Sequence, residues 1–296
     1  MTAMGWAQYL VGESPAMRVL LDQLARCIGG CSTILLLGAT GTGKNHLAEA
    51  IHTASPLTRA GPFVVVNCGA LSERESGLLT APPTAKLSPL KQARHGTLFL
   101  DEIQDTPAEH QNRLVRLLQT VTDRRPNNEP LRIVASSSVD LERSVTAGAF
   151  RDDLYFRLKV LEFRIPLLRT RTEDIPLLVD RFLKELRRSH ANVPLPLMHD
   201  AAMGQLLEFS WPGNVRQLRN VVERLFALSG GQNITADSLP AELSRSSSDD
   251  QDTDVVVAHG PPAARRSSTA HGRSTAAEQE APRGRAEQRE GRREET

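Results

Sequence analysis

The chain has 296 residues, 40% of them hydrophobic and 24% charged, a composition typical of a globular protein with one or two domains. Its 36 Lys and Arg residues nearly balance its 35 Asp and Glu residues, and this net charge of +1 excludes a strongly basic nucleic-acid binder of the histone type. The sequence has neither an apolar run of about 18 residues nor a signal-peptide pattern, so we expect a cytoplasmic protein with no membrane partner.

Short apolar runs alternate with amphipathic stretches in the first part of the chain. Four runs, bounded mostly by Gly, Pro or Asp, predict strands that are buried on both faces, at residues 33–37, 63–66, 97–100 and 132–135. Helical periodicity predicts helices at residues 17–28, 44–52 and 109–121. Because strands that alternate with helices form parallel sheets, the pattern predicts an α/β fold with helices on both sides of a parallel sheet.

The pattern changes twice further along the chain. From residue 173 the strand signals stop, and helices are predicted at residues 174–188, 201–209 and 214–228. From residue 245 the chain has no aromatic residue and one short apolar patch, so it buries too little surface to offset the entropy of ordering. We therefore expect an α/β domain at 1–167, a small all-helical domain at 168–244 and a disordered tail at 245–296.

The three cysteines give no sign of a disulfide framework or a zinc site. Cys27 and Cys31 are four residues apart with no His or further Cys nearby, and Cys68 is isolated. A chain of this length does not need disulfides to stabilise its core. We expect all three thiols to be reduced.

The strongest local motif is a glycine-rich loop between the first predicted strand and the helix that follows it. The loop consists of Gly38, Ala39, Thr40, Gly41, Thr42, Gly43 and Lys44 and has the form of a phosphate-binding P-loop. In such a loop, backbone N–H groups and the helix N-terminus face the phosphates, and Lys44 reaches the outer phosphates. A glycine-rich turn that binds nothing is the alternative. The context of strand, loop and helix favours binding of a nucleoside triphosphate.

Two features bear on a magnesium ion beside this loop. Asn45 stands where most P-loops have a Ser or Thr that binds Mg²⁺, and an amide oxygen is a weaker ligand. Asp101 and Glu102 follow the apolar run at 97–100, so Asp101 is predicted to hold Mg²⁺ and Glu102 to act as the general base toward water. Two acids after a strand can also form a solvated turn, but the P-loop favours the catalytic interpretation.

Six motifs occur along the chain in a familiar order. They lie at residues 38–44, 66–68, 96–102, 150–158, 166–169 and 211–218. In these motifs the chain, over about residues 10–243, resembles the AAA+ domain of bacterial enhancer-binding proteins, the activators of sigma-54 RNA polymerase. The resemblance implies a P-loop AAA+ α/β domain followed by a helical lid domain, with ATP and Mg²⁺ as cofactors.

The resemblance also implies roles for two arginines and an oligomer. Arg151 and Arg157 match the arginine fingers of the family, which enter the nucleotide site of a neighbouring subunit and stabilise charge on the transferred phosphoryl group. Hydrolysis would then require a ring, a hexamer by resemblance. Ordinary surface arginines in salt bridges are the alternative.

Further residues match the family at single positions. Arg216 matches the sensor II arginine of the lid, and Asn67 matches the strand-end asparagine that restrains the catalytic glutamate; a buried Asn that closes a strand is the alternative for Asn67. Val11 and Gly12 resemble the segment that lines the adenine pocket.

The sequence departs from the family in two inserted loops, one of which contacts sigma-54, and at the sensor I position. The family contacts sigma-54 through an inserted loop with the sequence GAFTGA, but residues 71–95 are shorter than that insertion and lack the motif. A second inserted loop, at 122–130, is also short, and the sensor I position, usually Thr-Asn, is Ser137-Ser138. About ten residues precede the resemblance and no helix-turn-helix pattern follows it, so we expect no sensory domain and no sequence-specific DNA-binding domain in this chain.

Two functions remain open from the sequence. The first is an AAA+ ATPase that works as a ring in transcription regulation, with sigma-54 or a fuller enhancer-binding protein as its partner. The second is a nucleotide-dependent interaction module that modulates a partner regulator without remodelling sigma-54, which Asn45 and the missing GAFTGA sequence favour. A small-molecule kinase is a poor third, because nothing in the chain supplies an acceptor site.

Overall fold

In the computed structural model the described residues are 10–70, 88–123, 130–190 and 192–244, which all fall within one compact unit of the chain. Among them, five parallel strands form one sheet in the order β2-β3-β4-β1-β5. The strands are β1 (Ile34–Leu37), β2 (Phe63–Asn67), β3 (Thr97–Asp101), β4 (Arg132–Ser137) and β5 (Leu161–Arg164).

Helices cover both faces of this sheet. They are α1 (Pro15–Cys27), α2 (Lys44–Ala54), the short α3 (Pro89–Gln92), α4 (Ala108–Asp123), α5 (Leu141–Thr146) and α6 (Asp152–Leu158). Along β1, Leu35 and Leu37 belong to the core on the side of α4 and α6, whereas Ile34 and Leu36 belong to the core on the side of α1 and α2. This alternation follows from the two-residue period of a strand and makes the domain three layers thick.

A separate, smaller core lies in the helices that follow the sheet. They are α7 (Ile175–Ser189), α8 (Asp200–Glu208), α9 (Asn214–Ser229) and the short α10 (Ala241–Ser244). Trp211 is buried at its centre, packs edge-on against Phe209 and donates its indole N–H to the carbonyl oxygen of Leu206 at 2.8 Å. This all-helical lid follows the sheet domain after β5.

The predicted helices and strands lie within two residues of the observed bounds, with two corrections. First, β2 is not buried on both faces: it pairs only with β3 among the described residues, and Val65 is 52% exposed. Second, β5 was not predicted, because Glu162 and Arg164 alternate with Leu161 and Phe163 and thus break the apolar run that marked the other strands.

Other expectations concern the loops and the tail, the cysteines and membrane-spanning helices. The segment 71–87, most of the short loop at 122–130 and the tail at 245–296 lie outside the described residues. The three cysteines are all described, and none of them forms a disulfide. In the described part of the chain, no helix combines the length and the apolarity that are needed to cross a bilayer.

The contrast between a central and an edge strand yields a stability test with a matched pair. Val134 on β4 is fully buried, whereas Val65 on β2 is about half exposed. We expect Val134→Ala to lower the free energy of unfolding by about 2 kcal/mol, because it removes buried methyl groups and leaves a cavity. Val65→Ala should cost less than about 0.5 kcal/mol. Urea denaturation of both variants checks this, and equal losses would contradict the assigned strand order.

Candidate functional site

The glycine-rich loop connects β1 to α2 at the carboxyl end of the sheet. Gly41 and Gly43 adopt φ angles of +81° and +105°, a region that favours glycine. Lys44 is the first residue of α2, and its buried Nζ donates to the carbonyl oxygen of Gly38 at 3.0 Å. The loop thus has the conformation that a phosphate-binding turn requires, with the lysine folded back over it.

Two carboxylates lie beside the loop where β3 ends, and Ser136 of the neighbouring strand β4 positions both. The Ser136 hydroxyl donates to Asp101 Oδ1 at 2.7 Å and accepts the backbone N–H of Glu102 at 2.9 Å. Glu102 itself adopts φ +49°, which is unusual for a non-glycine residue and turns its side chain away from the strand direction. The serine is fully buried, so both acids are fixed in orientation.

The carboxylate of Glu102 is the centre of a small polar network. Lys44 Nζ lies 3.2 Å from Glu102 Oε1, and Gln104 Nε2 donates to Glu102 Oε2 at 2.7 Å. Gln104 also donates to the Ser138 hydroxyl at 3.0 Å. Burial alone would raise the pKa of Glu102, but the hydrogen bond from Gln104 and the charge of Lys44 together hold that pKa below its ordinary value. Glu102 is therefore ionised at neutral pH.

Asn45 contacts the other acid. Its amide nitrogen donates to Asp101 Oδ2 at 2.8 Å, which leaves its amide oxygen as the end directed away from Asp101. Oxygen atoms of carboxylates and amides are the ligand type that Mg²⁺ prefers. The donor set of Asp101 and Asn45 therefore fits a magnesium ion, although no hydroxyl is present at position 45.

A cavity of about 380 Å³ opens beside the loop. Six apolar side chains line it, those of Leu10, Val11, Met17, Ile165, Leu178 and Phe182. The lining also includes the loop residues 41–43 and the charged side chains of Lys44, Glu102, Arg171, Arg181, Glu185, Arg216 and Arg219. A lining that combines apolar and cationic side chains suits a ligand with an aromatic base and a phosphate chain.

The lid closes one side of the loop through three hydrogen bonds to consecutive carbonyl oxygens. Asn214 Nδ2 donates to Thr40 O at 3.1 Å, the backbone N–H of Arg216 donates to Gly41 O at 3.2 Å, and a terminal nitrogen of Arg171 donates to Thr42 O at 2.9 Å. Gly41 is required here, since a Cβ atom would lie 2.3 Å from the carbonyl oxygen of Gly213.

The structure brings most of the predicted site residues together. Gly38 to Asn45, Asp101, Glu102, Arg216 and Val11 lie on or around one cavity, and Arg216 is in the first turn of α9 as its motif predicts. Gly12 lies behind the wall, where a Cβ atom would be 3.0 Å from Met17 Cβ. Val11 thus lines the cavity, and Gly12 packs against Met17, which also lines it.

Other predicted residues lie apart from this cavity. Arg151 precedes α6 and forms a two-point salt bridge with Asp153, with both N–O distances 3.0 Å. Arg157 lies on the same helix, near the exposed side chain of Phe156. Asn67 ends β2, and its side-chain oxygen accepts the N–H groups of Gly69 and Ala70 at 3.1 and 3.3 Å, so it caps the turn after the strand. Its role toward Glu102 stays a prediction.

Four residues of the site were not predicted as such from the sequence. Ser136 and Gln104 organise the acids, and Asn214 and Arg171 bind the loop from the lid. Gln104 could have been suspected from the sequence, because it lies only two residues beyond Glu102 in the polar turn that follows β3. The other three are distant from the loop in sequence, and only the packing of β4 and the lid brings them to it.

This fold and site define a class of protein. A parallel sheet in the order β2-β3-β4-β1-β5, a P-loop after the central β1, two acids after β3 and a helical lid over the loop constitute an AAA+ nucleotide-binding module. Within that class the chain belongs to the sigma-54 interaction domain family, whose model matches residues 10–164, and an AAA+ ATPase lid domain model matches residues 169–255.

Similar proteins and solved structures support the same family assignment. DNA-binding transcriptional regulator NtrC of Azospirillum brasilense is 42% identical over 248 residues, which are 79% of this chain and 51% of that protein. Crystal structures of NtrX from Brucella abortus with ADP and with ATP are each 38% identical, with TM-scores of 0.69 and 0.68, over 80% and 79% of this chain and 56% and 57% of theirs. The chain spans about half the length of the curated relatives it matches.

The close approach of Gly41 to the lid gives a first test of the site. We expect Gly41→Ala to weaken ATP binding by about tenfold or more, because the added Cβ atom both opposes the positive φ angle and collides with Gly213. Gly29→Ala is the matched control, since a Cβ atom there has no neighbour within 4 Å. Titration with a fluorescent ATP analogue measures both variants. Unchanged affinity in Gly41→Ala would contradict the described loop.

The contact between Asn45 and Asp101 gives a second test. In Asn45→Asp two carboxylates oppose each other, so a divalent cation should become more important for binding ATP. We expect the ratio of the Kd in EDTA to the Kd in Mg²⁺ to increase by about tenfold relative to the unmodified chain. Glu49→Gln, an exposed change on the same helix α2, should leave the ratio unaltered. No change in the ratio for Asn45→Asp would exclude a metal at this position.

Proposed function

We propose that this chain is an AAA+ regulator of transcription that binds ATP and hydrolyses it as a ring oligomer, a hexamer by its resemblance to the family. The observation that carries the proposal is the Glu102 carboxylate, which Lys44 and Gln104 contact next to the P-loop. The matches to the sigma-54 interaction domain and to an ATP complex of NtrX support it.

The residues of the cavity divide the reaction between them. Lys44 and the loop N–H groups bind the phosphates, and the apolar wall with Val11 receives the base. Glu102 is the general base, because a carboxylate kept ionised and half-buried can accept a proton from the attacking water. Asp101 and Asn45 would hold Mg²⁺, which neutralises charge on the phosphates when it is bound.

The positive charge that phosphoryl transfer needs would come from a second copy of the chain. Arg151 and Arg157 lie outside the lining of their own cavity, at the start of α6 and on that helix, where Arg151 is exposed and Arg157 partly exposed. Phe156 on that helix is 70% exposed and Val160 just beyond it is 56% exposed, so this surface combines cations with apolar area. Such a combination is suited to an interface between subunits. The salt bridge from Arg151 to Asp153 would have to open for Arg151 to act.

The sequence also bears on the partner in transcription. Residues 71–95 lack the GAFTGA sequence with which the family contacts sigma-54. We therefore propose a fuller enhancer-binding protein as the partner of the ring, with sigma-54 RNA polymerase as the target of the whole assembly. The interaction module without turnover is the competing function, and the assay of hydrolysis separates the two.

Phosphate release measured against protein concentration tests the proposal. The specific rate should rise steeply with concentration, because each site needs an arginine from a neighbour. Lys44→Ala and Arg157→Ala should each lower the rate by about 10³-fold or more. Lys184→Ala, an exposed lysine paired with Asp180 on α7, is a matched control that should leave the rate unchanged. ATP binding without any turnover would support the interaction module instead.

Mixing the two inactive variants tests whether the arginine acts across an interface. A mixture of Lys44→Ala and Arg157→Ala subunits should regain activity, since some interfaces then combine an intact loop with an intact arginine. A mixture of the double variant with Lys44→Ala contains no intact loop and should remain inactive. A failure of the first mixture to regain activity, with mixed oligomers shown to form, would argue against an arginine supplied in trans.

A further inference from the structure

A buried carboxylate at the start of the lid contacts the segment that precedes α1. Asp174 is 0% exposed and accepts three hydrogen bonds: from the backbone N–H of Glu13 at 2.7 Å, and from the N–H and hydroxyl of Ser14 at 2.8 and 2.9 Å. These groups are 160 residues apart in sequence. Three hydrogen bonds to one fully buried side chain are costly to leave unmade, so Asp174 fixes this segment to the lid.

The segment that Asp174 holds carries the apolar wall of the cavity. Leu10 and Val11 lie just before it and Met17 just after it, and all three line the cavity. Ser14 is also the N-cap of α1, where its hydroxyl accepts the N–H of Met17 at 3.4 Å. The position of this wall thus depends on where the Ser14 hydroxyl and backbone are held.

Arg171, three residues before Asp174, makes a corresponding contact with the P-loop. It is 3% exposed and donates to the carbonyl oxygen of Thr42 in the P-loop at 2.9 Å. Burial lowers the pKa of Arg171, and the charge of Asp174 opposes this effect. One short stretch of the lid therefore contacts the P-loop through Arg171 and the segment before α1 through Asp174, by two separate buried side chains.

We propose that Asp174 is a positioning residue for the base of the bound nucleotide: it holds the wall formed by Leu10, Val11 and Met17, and so determines how much affinity the base contributes. Arg171 has the parallel role for the phosphate loop. The proposal rests on the nucleotide binding proposed above and adds to it a division of labour between two lid residues. Neither side chain needs to touch the reacting atoms.

A comparison of ATP with inorganic tripolyphosphate separates the two roles, because tripolyphosphate has no base. By calorimetry, Asp174→Ala should weaken ATP binding by about tenfold or more but change tripolyphosphate binding by less than about twofold. Arg171→Met should weaken both ligands, because it removes a donor to the P-loop. In steady-state assays Asp174→Ala should raise KM for ATP and leave kcat nearly unchanged.

Controls separate positioning from a general loss of structure. Asp180→Ala removes an exposed carboxylate from helix α7, which begins directly after Asp174, and should affect neither ligand. If Asp174→Ala does not fold, Ser14→Ala removes one of the three hydrogen bonds to Asp174 together with the cap to Met17, and it should show the same selectivity with a smaller loss, about threefold for ATP. Asp174→Asn keeps the shape of the side chain and one acceptor oxygen, and it should give an intermediate loss.

Each outcome bears on a different claim. Equal loss of ATP and tripolyphosphate in Asp174→Ala would overturn the positioning role, since the residue would then only stabilise the fold. Unaltered binding of both ligands would overturn it as well. If the unmodified chain binds tripolyphosphate but not ATP, the base-binding wall is wrong, and if it binds neither, the proposed function itself fails.

Discussion

A loop that offers its N–H groups to a phosphate chain leaves its carbonyl oxygens on the other side, and those oxygens also need hydrogen-bond donors. In this chain the donors come from the lid. Asn214, the backbone of Arg216 and Arg171 donate to three consecutive carbonyl oxygens, those of Thr40, Gly41 and Thr42. The lid therefore completes the hydrogen bonding of the P-loop, and the two parts of the chain cannot separate without leaving these oxygens to water.

This constraint explains why unusual backbone conformations occur in the lid. Asn214 has φ +50° and is buried, and its side chain both donates to Thr40 and accepts the N–H of Leu168 at 3.0 Å. A non-glycine residue in this region is strained by roughly 1–3 kcal/mol, so the surrounding contacts must hold it there. Trp211, also at positive φ, provides such contacts from the centre of the lid core. The strain thus lies where the lid meets the loop.

The sequence predicted the parts of the fold whose signals are local. The central strands and the P-loop could be identified because each is a continuous stretch with its own pattern, and the order of motifs indicated the family. The edge strand β5 was missed because Glu162 and Arg164 interrupt its apolar residues, so no continuous apolar run marks it. The two charged side chains form a salt bridge with an N–O distance of 2.8 Å.

The parts that escaped prediction depend on register or on docking. Ser136 lies beside both acids only because Leu100 pairs with Ala135 across β3 and β4, so that the following residues are neighbours. A register shift of one residue would have placed another side chain there. The contacts of Arg171 and Asp174 likewise depend on how the lid docks, for which the sequence carries no local signal.

The amide of Asn45 affects how a ligand can bind beside it. A hydroxyl changes from donor to acceptor by turning about one bond, whereas an amide must rotate its whole plane by half a turn and would here give up its bond to Asp101. A ligand that takes the amide oxygen on the side of Asp101 therefore has to displace this hydrogen bond first. One that takes the oxygen from the opposite side leaves the pair intact, so the direction of approach decides the cost of entry.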